Sequence, residues 1–177
     1  MLDKFKYCPD CGHDNIELSR IDGQDREKCQ KCGKVFYKNP IPSIVGISIN
    51  DDKEILLVKR GVEPDIGSWC LPGGFIELGE TSEQAVKREL LEETGLDVNP
   101  GEIITVDTTL GGFYGDVIVI AYKITVREGQ DFMPGDDALE VQYYPKEKLP
   151  RLTFRSHELI IDTAYMMLEK RYKKKGV

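Results

Sequence analysis

Glu89, Glu92 and Glu93 sit together in the stretch KRELLEETGL, residues 87–96. On a helix of 3.6 residues per turn they fall within an arc of about 100°, so three like charges crowd one face. Such neighbours cost about 0.2–0.5 kcal/mol per pair, and Arg88, four residues before Glu92, stands in the weaker order for a compensating pair. The helix gains nothing from this arrangement by itself. Three carboxylates on one face are hard oxygen donors, which suit a divalent cation such as Mg²⁺ or Mn²⁺. A solvated charged face is the plainer account of the trio taken alone.

A second set of ligand-type residues lies near the N-terminus. Four of the five cysteines form two Cys-x-x-Cys pairs, Cys8 with Cys11 and Cys29 with Cys32, with seventeen residues between the pairs. In a reducing compartment this spacing predicts a tetrahedral Zn²⁺ site in place of disulfides. Gly12 and Gly33 follow the pairs and permit the positive φ of a knuckle turn. His13 is a competing but weaker ligand. The fifth, Cys70 in SWCLPGG, has no neighbouring His or Lys to lower its pKa and is expected as a small buried residue.

Clear punctuation surrounds these residues. Thr81 with Gln84 makes a capping-box pattern and Gly95 supplies a C-terminal stop, so a helix is expected over 82–94, with Ala85, Val86, Leu90 and Leu91 as its apolar positions. Before it, SIVGISI and EILLVKR flank the turn NDDK and predict a hairpin, followed by the glycine-rich LPGGFIELGE. EIITVDTTL, DVIVIAYKITV and VQYYP are expected strands. A second helix is expected over about 156–174, with Leu159, Ile160, Thr163, Ala164, Met167 and Leu168 on its packed side.

The whole chain limits what this chemistry serves. Its 177 residues suffice for one good core plus a small appendage, and 40% hydrophobic content is ordinary for a folded domain. A net charge of -7 argues against bulk attraction to nucleic acid or anionic lipid, so phosphates would have to be met through cations. Residues 1–38 carry eight Lys/Arg against seven Asp/Glu, which gives the cysteine unit no basic footprint. No apolar run approaches the roughly 20 residues of a membrane span, and the first residues contain no apolar signal core, so a cytoplasmic location without membrane association is expected.

Taken as one frame, residues 74–96 read GFIELGETSEQAVKRELLEETGL: Gly74, five residues, Glu80, seven residues, Arg88-Glu89-Leu90, one residue, Glu92-Glu93, one residue, Gly95-Leu96. This resembles the Nudix box at every defined position, and the likeness extends over roughly residues 40–170. The resemblance implies an α/β fold, a Nudix α/β/α sandwich with a mixed sheet over 39–177, preceded by a zinc ribbon over 1–38. It implies Mg²⁺- or Mn²⁺-dependent hydrolysis of the diphosphate in a nucleoside diphosphate linked to another group. Glu89, Glu92 and Glu93 would bind the metal with help from the Gly74 carbonyl, Arg88 would orient a glutamate, and Glu80 would support the box beside the substrate.

The acidic segment 134–145 resembles the loop before the last strand in dinucleotide-type Nudix enzymes, which makes Glu140 the expected general base, with Asp136, Asp137 and Glu93 as rivals. Arg60 is a candidate phosphate contact. Phe113 and Tyr114 are candidates for stacking on a base, whereas Trp69 is expected to pack beside the loop. The four-cysteine layout is similar to that of bacterial NADH pyrophosphatases, but their SQPWPFPxS run is missing after the box. ADP-ribose, FAD or NAD(H) types lead as substrates. A nucleoside triphosphate or a diadenosine polyphosphate is the alternative, Tyr114 lying eighteen residues past Leu96 as in hydrolases of the latter. A non-catalytic nucleotide sensor with a nucleic-acid-binding ribbon is the reading from another class. The likeness to dinucleotide-cleaving relatives also implies a homodimer.

Overall fold

A computed structural model of the chain describes residues 5–127, 129–135 and 137–175. They divide into two compact units, Met1–Pro40 and Ile41–Val177.

The first unit is an antiparallel sheet of β1 (Ile16–Ile21), β2 (Gln24–Cys29) and β3 (Val35–Phe36). Asp22 and Gly23 join β1 to β2 with φ of 51° and 76°, the double positive φ that a two-residue hairpin turn favours. Among the described residues its buried cluster is Cys8, Cys29 and Phe36, with Ile16 packed against them. A core this small gives little folding free energy.

The second unit contains β4 (Ile41–Ile47), β5 (Glu54–Arg60), β6 (Trp69–Cys70), α1 (Ser82–Thr94), β7 (Val98–Gly112), β8 (Gly115–Val126), β9 (Ala138–Pro145) and α2 (Arg155–Lys175). One sheet is mixed, in the order β4-β8-β7 with β4 parallel to β8; the other is antiparallel, β6-β5-β9. Residues on β4 and β5 alternate between two cores. Ile44, Leu56 and Val58 pack with Ala85, Val86 and Leu90 of α1. Val45, Ile47, Ile55 and Leu57 pack with Ile160, Ile161 and Ala164 of α2. Helices on both faces explain why these strands are nearly continuous apolar runs.

The expected hairpin between β4 and β5 is only partly formed. The Asn50 N–H donates to the Glu54 carbonyl at 3.0 Å and Ile49 bridges Ile55, so the turn closes. Beyond it the strands part: β4 takes β8 as its partner, while β5 lies between β6 and β9. Both strands are buried on both faces, and separate sheets give each of them a long partner and cover on two sides.

α1 spans Ser82–Thr94 with its capping box formed, the Thr81 N–H donating to Gln84 Oε1 at 2.7 Å and Thr81 Oγ1 accepting from the Gln84 N–H. Leu91, expected in the core, is 55% exposed, because Ala85, Val86, Leu90 and Thr94 already fill the buried stripe. On α2 the buried stripe is His157, Ile160, Ile161, Ala164 and Tyr165, and Leu159 lies outside it. Among the described residues no helix is long and apolar enough to cross a membrane.

Replacing the cap, Thr81→Ala, removes one of two reciprocal bonds at the start of α1. Urea unfolding should show a loss of about 1 kcal/mol; an unchanged midpoint would mean that packing alone holds the helix start.

Candidate active site

Between β6 and α1 the chain runs through Pro72, Gly73 and Gly74 alongside β4. The Gly46 N–H donates to the Pro72 carbonyl and the Ile44 N–H to the Gly74 carbonyl, both at 2.9 Å. Gly73 has φ 146°, and a Cβ there would lie 2.2 Å from the Ile44 carbonyl oxygen. A Cβ on Gly74 would lie 2.4 Å from Glu89 Oε1. Only glycines let the backbone pass between β4 and the acidic face of α1. The Gly73 N–H then donates to Glu93 Oε2 at 2.8 Å.

Arg88 gathers the other carboxylates. Its Nε and Nη2 grip Glu80 at 3.1 and 2.7 Å, Nη1 donates to Glu89 at 2.8 Å and Glu92 at 3.1 Å, and Nη2 also donates to the Phe75 carbonyl at 3.0 Å. One cation thus balances three of the acids on this face. Arg88 holds the Glu80 carboxyl below its ordinary value, whereas burial raises Glu89. Glu93 is pushed up to about 8 by burial, which outweighs the bond from Gly73.

Glu89, Glu93 and Gly74 border a cleft of about 260 Å³ that continues between β4, β8 and the start of α2. Glu92 is half exposed and Glu80 is turned to Arg88 and the Glu77 N–H; neither lines the cleft. Phe113 and Tyr114 do line it, as the two-residue tip of the β7–β8 hairpin between the paired Gly112 and Gly115. Tyr114 packs edge-on against Phe75 at 5.1 Å and donates its hydroxyl to the Glu63 carbonyl at 3.0 Å. Arg60 also lines the cleft, but its Nε and Nη2 are bound to the Pro64 and Glu63 carbonyls at 2.8 Å, and its guanidinium stacks over Phe154. These donors hold the loop after β5 and are not free for a phosphate.

Glu140 is not brought to the cleft. It pairs with Lys59 across β5 and β9 at 3.1 Å, and strand alternation turns it opposite Val141, which packs with α1. Asp137 does reach the cleft. The loop before it is fastened to the end of α1, where the Met133 N–H donates to the Thr94 carbonyl at 2.9 Å and the Gly135 N–H to the Glu93 carbonyl at 3.3 Å. Asp136 lies outside the described residues. Trp69 packs on Tyr144, and Cys70 is a buried thiol pushed up to about 12, as expected of an inert residue.

Phe154, Ser156 and His157 line the cleft without having been expected there. The available signal was periodicity: His157 heads the stripe that continues through Ile160, Ile161, Ala164 and Tyr165, so a polar ring is carried into the interior.

In the first unit the four cysteine sulfurs lie within 4.8 Å of one another, with Cys8–Cys32 and Cys11–Cys29 each 3.7 Å apart. Sulfurs at about 2.3 Å from a shared tetrahedral ion stand about 3.8 Å apart, so the set fits such an ion. His13 is not part of the set; its Nδ1 accepts from the Asn15 N–H at 3.1 Å.

Comparison with known proteins accounts for this arrangement. The NUDIX domain family matches residues 40–162. The chain belongs to the Nudix family. A Nudix hydrolase from Nitrosomonas europaea of known structure superimposes with a TM-score of 0.75 at 31% identity, over 96% of this chain and 93% of its own. The ADP-ribose pyrophosphatase of Methanocaldococcus jannaschii is 42% identical over 133 residues, 71% of this chain and 73% of that protein. The NAD-capped RNA hydrolase NudC of Haemophilus influenzae is 37% identical over 99 residues, 55% of this chain but only 36% of that protein. The matched Nudix region thus corresponds to about a third of the longer relative.

In this Nudix hydrolase His157 is neutral. Burial, aided by Arg60, pulls it down to about 3 from its ordinary 6.5. Folding therefore gains from the uncharged ring above pH 6.5, and this contribution is lost as the pH falls toward 3. Urea midpoints taken from pH 7 to pH 4 should fall more steeply in the wild type than in His157→Asn; parallel curves would show that the ring does not drive the acid loss.

Proposed function

We propose that this Nudix pyrophosphatase cleaves the diphosphate of a nucleoside diphosphate joined to a further group, of the ADP-ribose or NAD(H) type, using Mg²⁺ or Mn²⁺. The observation that carries this is the approach of Gly73 and Gly74 to Glu89 and Glu93 at one end of a cleft whose other walls are aromatic and apolar. The likeness to an ADP-ribose pyrophosphatase and to NudC supports the substrate type.

The donor set fits the cation. Glu89 and Glu93 present carboxylates at the cleft, the Gly74 carbonyl has a second lone pair beyond its bond to Ile44, and half-exposed Glu92 can turn in from Arg88. A bound divalent ion of this kind neutralises diphosphate charge and favours formation of a nucleophilic water. Arg88 sets the acids apart and opposes the rise that burial causes at Glu89, and Phe113 and Tyr114 offer ring faces to a base. Asp137 or Glu93 takes the proton from water, because of the candidate bases Glu140, Asp137 and Glu93 these two border the cleft, and Glu140 is tied to Lys59. Hydrolysis leaves two phosphate-bearing products.

A panel of ADP-ribose, NADH, FAD, diadenosine polyphosphates and nucleoside triphosphates, with products separated by chromatography, tests this. ADP-ribose or NADH should lead, and Glu93→Gln should lose at least about a hundredfold in kcat. Full activity in that variant would refute the role of Glu93, and binding without cleavage by the wild type would favour a sensor.

Residues 1–38 form, in the same proposal, a zinc ribbon whose metal is structural, joined to a hydrolase domain over 39–177. The backbone N–H groups of Cys32 and Lys31 draw the Cys29 thiol down to about 7, whereas the Cys11 and Cys32 thiols are raised, so holding all four as thiolates takes a shared cation. Elemental analysis should find about one zinc per chain and none in Cys29→Ser, with amide signals of the ribbon collapsing in that variant. A dispersed, metal-free ribbon would overturn the structural role.

A further inference from the structure

The start of α2 brings two polar side chains to the floor of the cleft. Ser156 is 8% exposed and His157 6%, and both line the cavity. The Leu71 N–H donates to His157 Nδ1 at 3.0 Å, which makes Nδ1 the acceptor and leaves the proton on Nε2. Phe154 packs beside the ring at 5.0 Å. Among the described residues neither Ser156 Oγ nor His157 Nε2 has a protein hydrogen-bond partner, and both residues line the cleft. The His157 N–H is taken by the Phe154 carbonyl at 3.0 Å, so the donors left for a ligand are the two side chains.

These donors are uncharged. The surrounding floor is apolar, formed by Val45, Leu71 and Val119, and the nearby Arg60 has spent Nε and Nη2 on backbone carbonyls. A phosphate there would bring charge into an apolar floor where Arg60 has its Nε and Nη2 already bound to backbone carbonyls. A hydroxyl suits the place: it accepts from the imidazole Nε2–H and exchanges a hydrogen bond with the serine, each group acting as donor or acceptor. Polar atoms that wait unpaired in a buried site penalise a ligand unable to pair with them.

We infer that Ser156 and His157, at the start of α2, form a hydroxyl-binding subsite that selects substrates whose group beyond the diphosphate carries sugar hydroxyls. The inference rests on the pyrophosphatase function proposed above. Ser156 and His157 would contact the substrate away from the reacting phosphates, so their effect belongs in KM and in selectivity.

The test compares ADP-ribose with an analogue whose terminal sugar lacks its 2- and 3-hydroxyls, in the wild type, Ser156→Ala, His157→Asn and His157→Gln. Asn can keep an acceptor for the Leu71 N–H but cannot reach the Nε2 position, whereas Gln reaches that position and gives up the Leu71 bond. The wild type should favour ADP-ribose by at least about tenfold in kcat/KM. Ser156→Ala and His157→Asn should bring this ratio toward one, mainly through KM, and His157→Gln should keep most of it. Equal use of both compounds by the wild type, or an unchanged ratio in Ser156→Ala and His157→Asn, would overturn the subsite. If no diphosphate compound is cleaved, the proposed function fails, and calorimetric titration with the same two compounds decides the subsite alone: at least tenfold tighter binding of ADP-ribose, lost in Ser156→Ala, supports it, and equal affinities overturn it.

Discussion

The N–H of Gly73 on Glu93, with Gly74 pressed against Glu89, is the contact on which the site depends. It fixes how closely a loop fastened to β4 approaches the helix packed on the same sheet. A side chain on Gly73 would strike the Ile44 carbonyl, and one on Gly74 would strike Glu89, so either would force loop and helix apart. The glycines create no chemistry themselves. They let main-chain oxygen and two carboxylates share one end of a cavity, which separate rigid elements could otherwise approach only to the width of their side chains.

The charge on α1 has a corresponding solution. Glu80, Glu89 and Glu92 are all bound by Arg88, whose pKa they raise, and Arg88 is anchored again at the Phe75 carbonyl. The guanidinium therefore connects the loop, the turn before the helix and the helix itself. Glu93 stands outside this network, deeper, with an N–H for a partner and a strongly raised pKa. The acidic face is divided into a part held by Arg88 and one buried acid, Glu93, outside that network and bonded by the Gly73 N–H. In the proposed function that division would give a divalent ion a place beside Glu93 while Arg88 holds the other acids.

Local signals in the sequence were read well. The capping box, Gly95, the cysteine pairs and the 74–96 frame each involve residues a few positions apart, where spacing determines geometry. Long-range choices were less legible. NDDK closes a turn, yet the partners of β4 and β5 lie some seventy-five to ninety residues away, and no property of the turn reveals them. Glu140 and Asp137 differ by three positions in one acidic segment; strand parity and the bond from Gly135 to the end of α1 send one to Lys59 and the other to the cleft. Leu91 looked like a core residue because hydrophobicity alone does not say which face of a helix is already full.

His157 shows how the two helices divide the labour of the cavity. α1 brings charge to one end, where the proposed function places the ion and the diphosphate, and α2 brings the neutral polar groups of Ser156 and His157 to the cleft. The same apolar stripe that docks α2 on the sheet carries His157 inward, and Leu71, three residues before Gly74, holds its ring. The segment 71–74 thus touches both helices through its backbone: Leu71 to His157 and Gly73 to Glu93. Displacing this short stretch would disturb the charged end and the neutral floor together, so the spacing between them is set by two peptide units and is not left to flexible side chains.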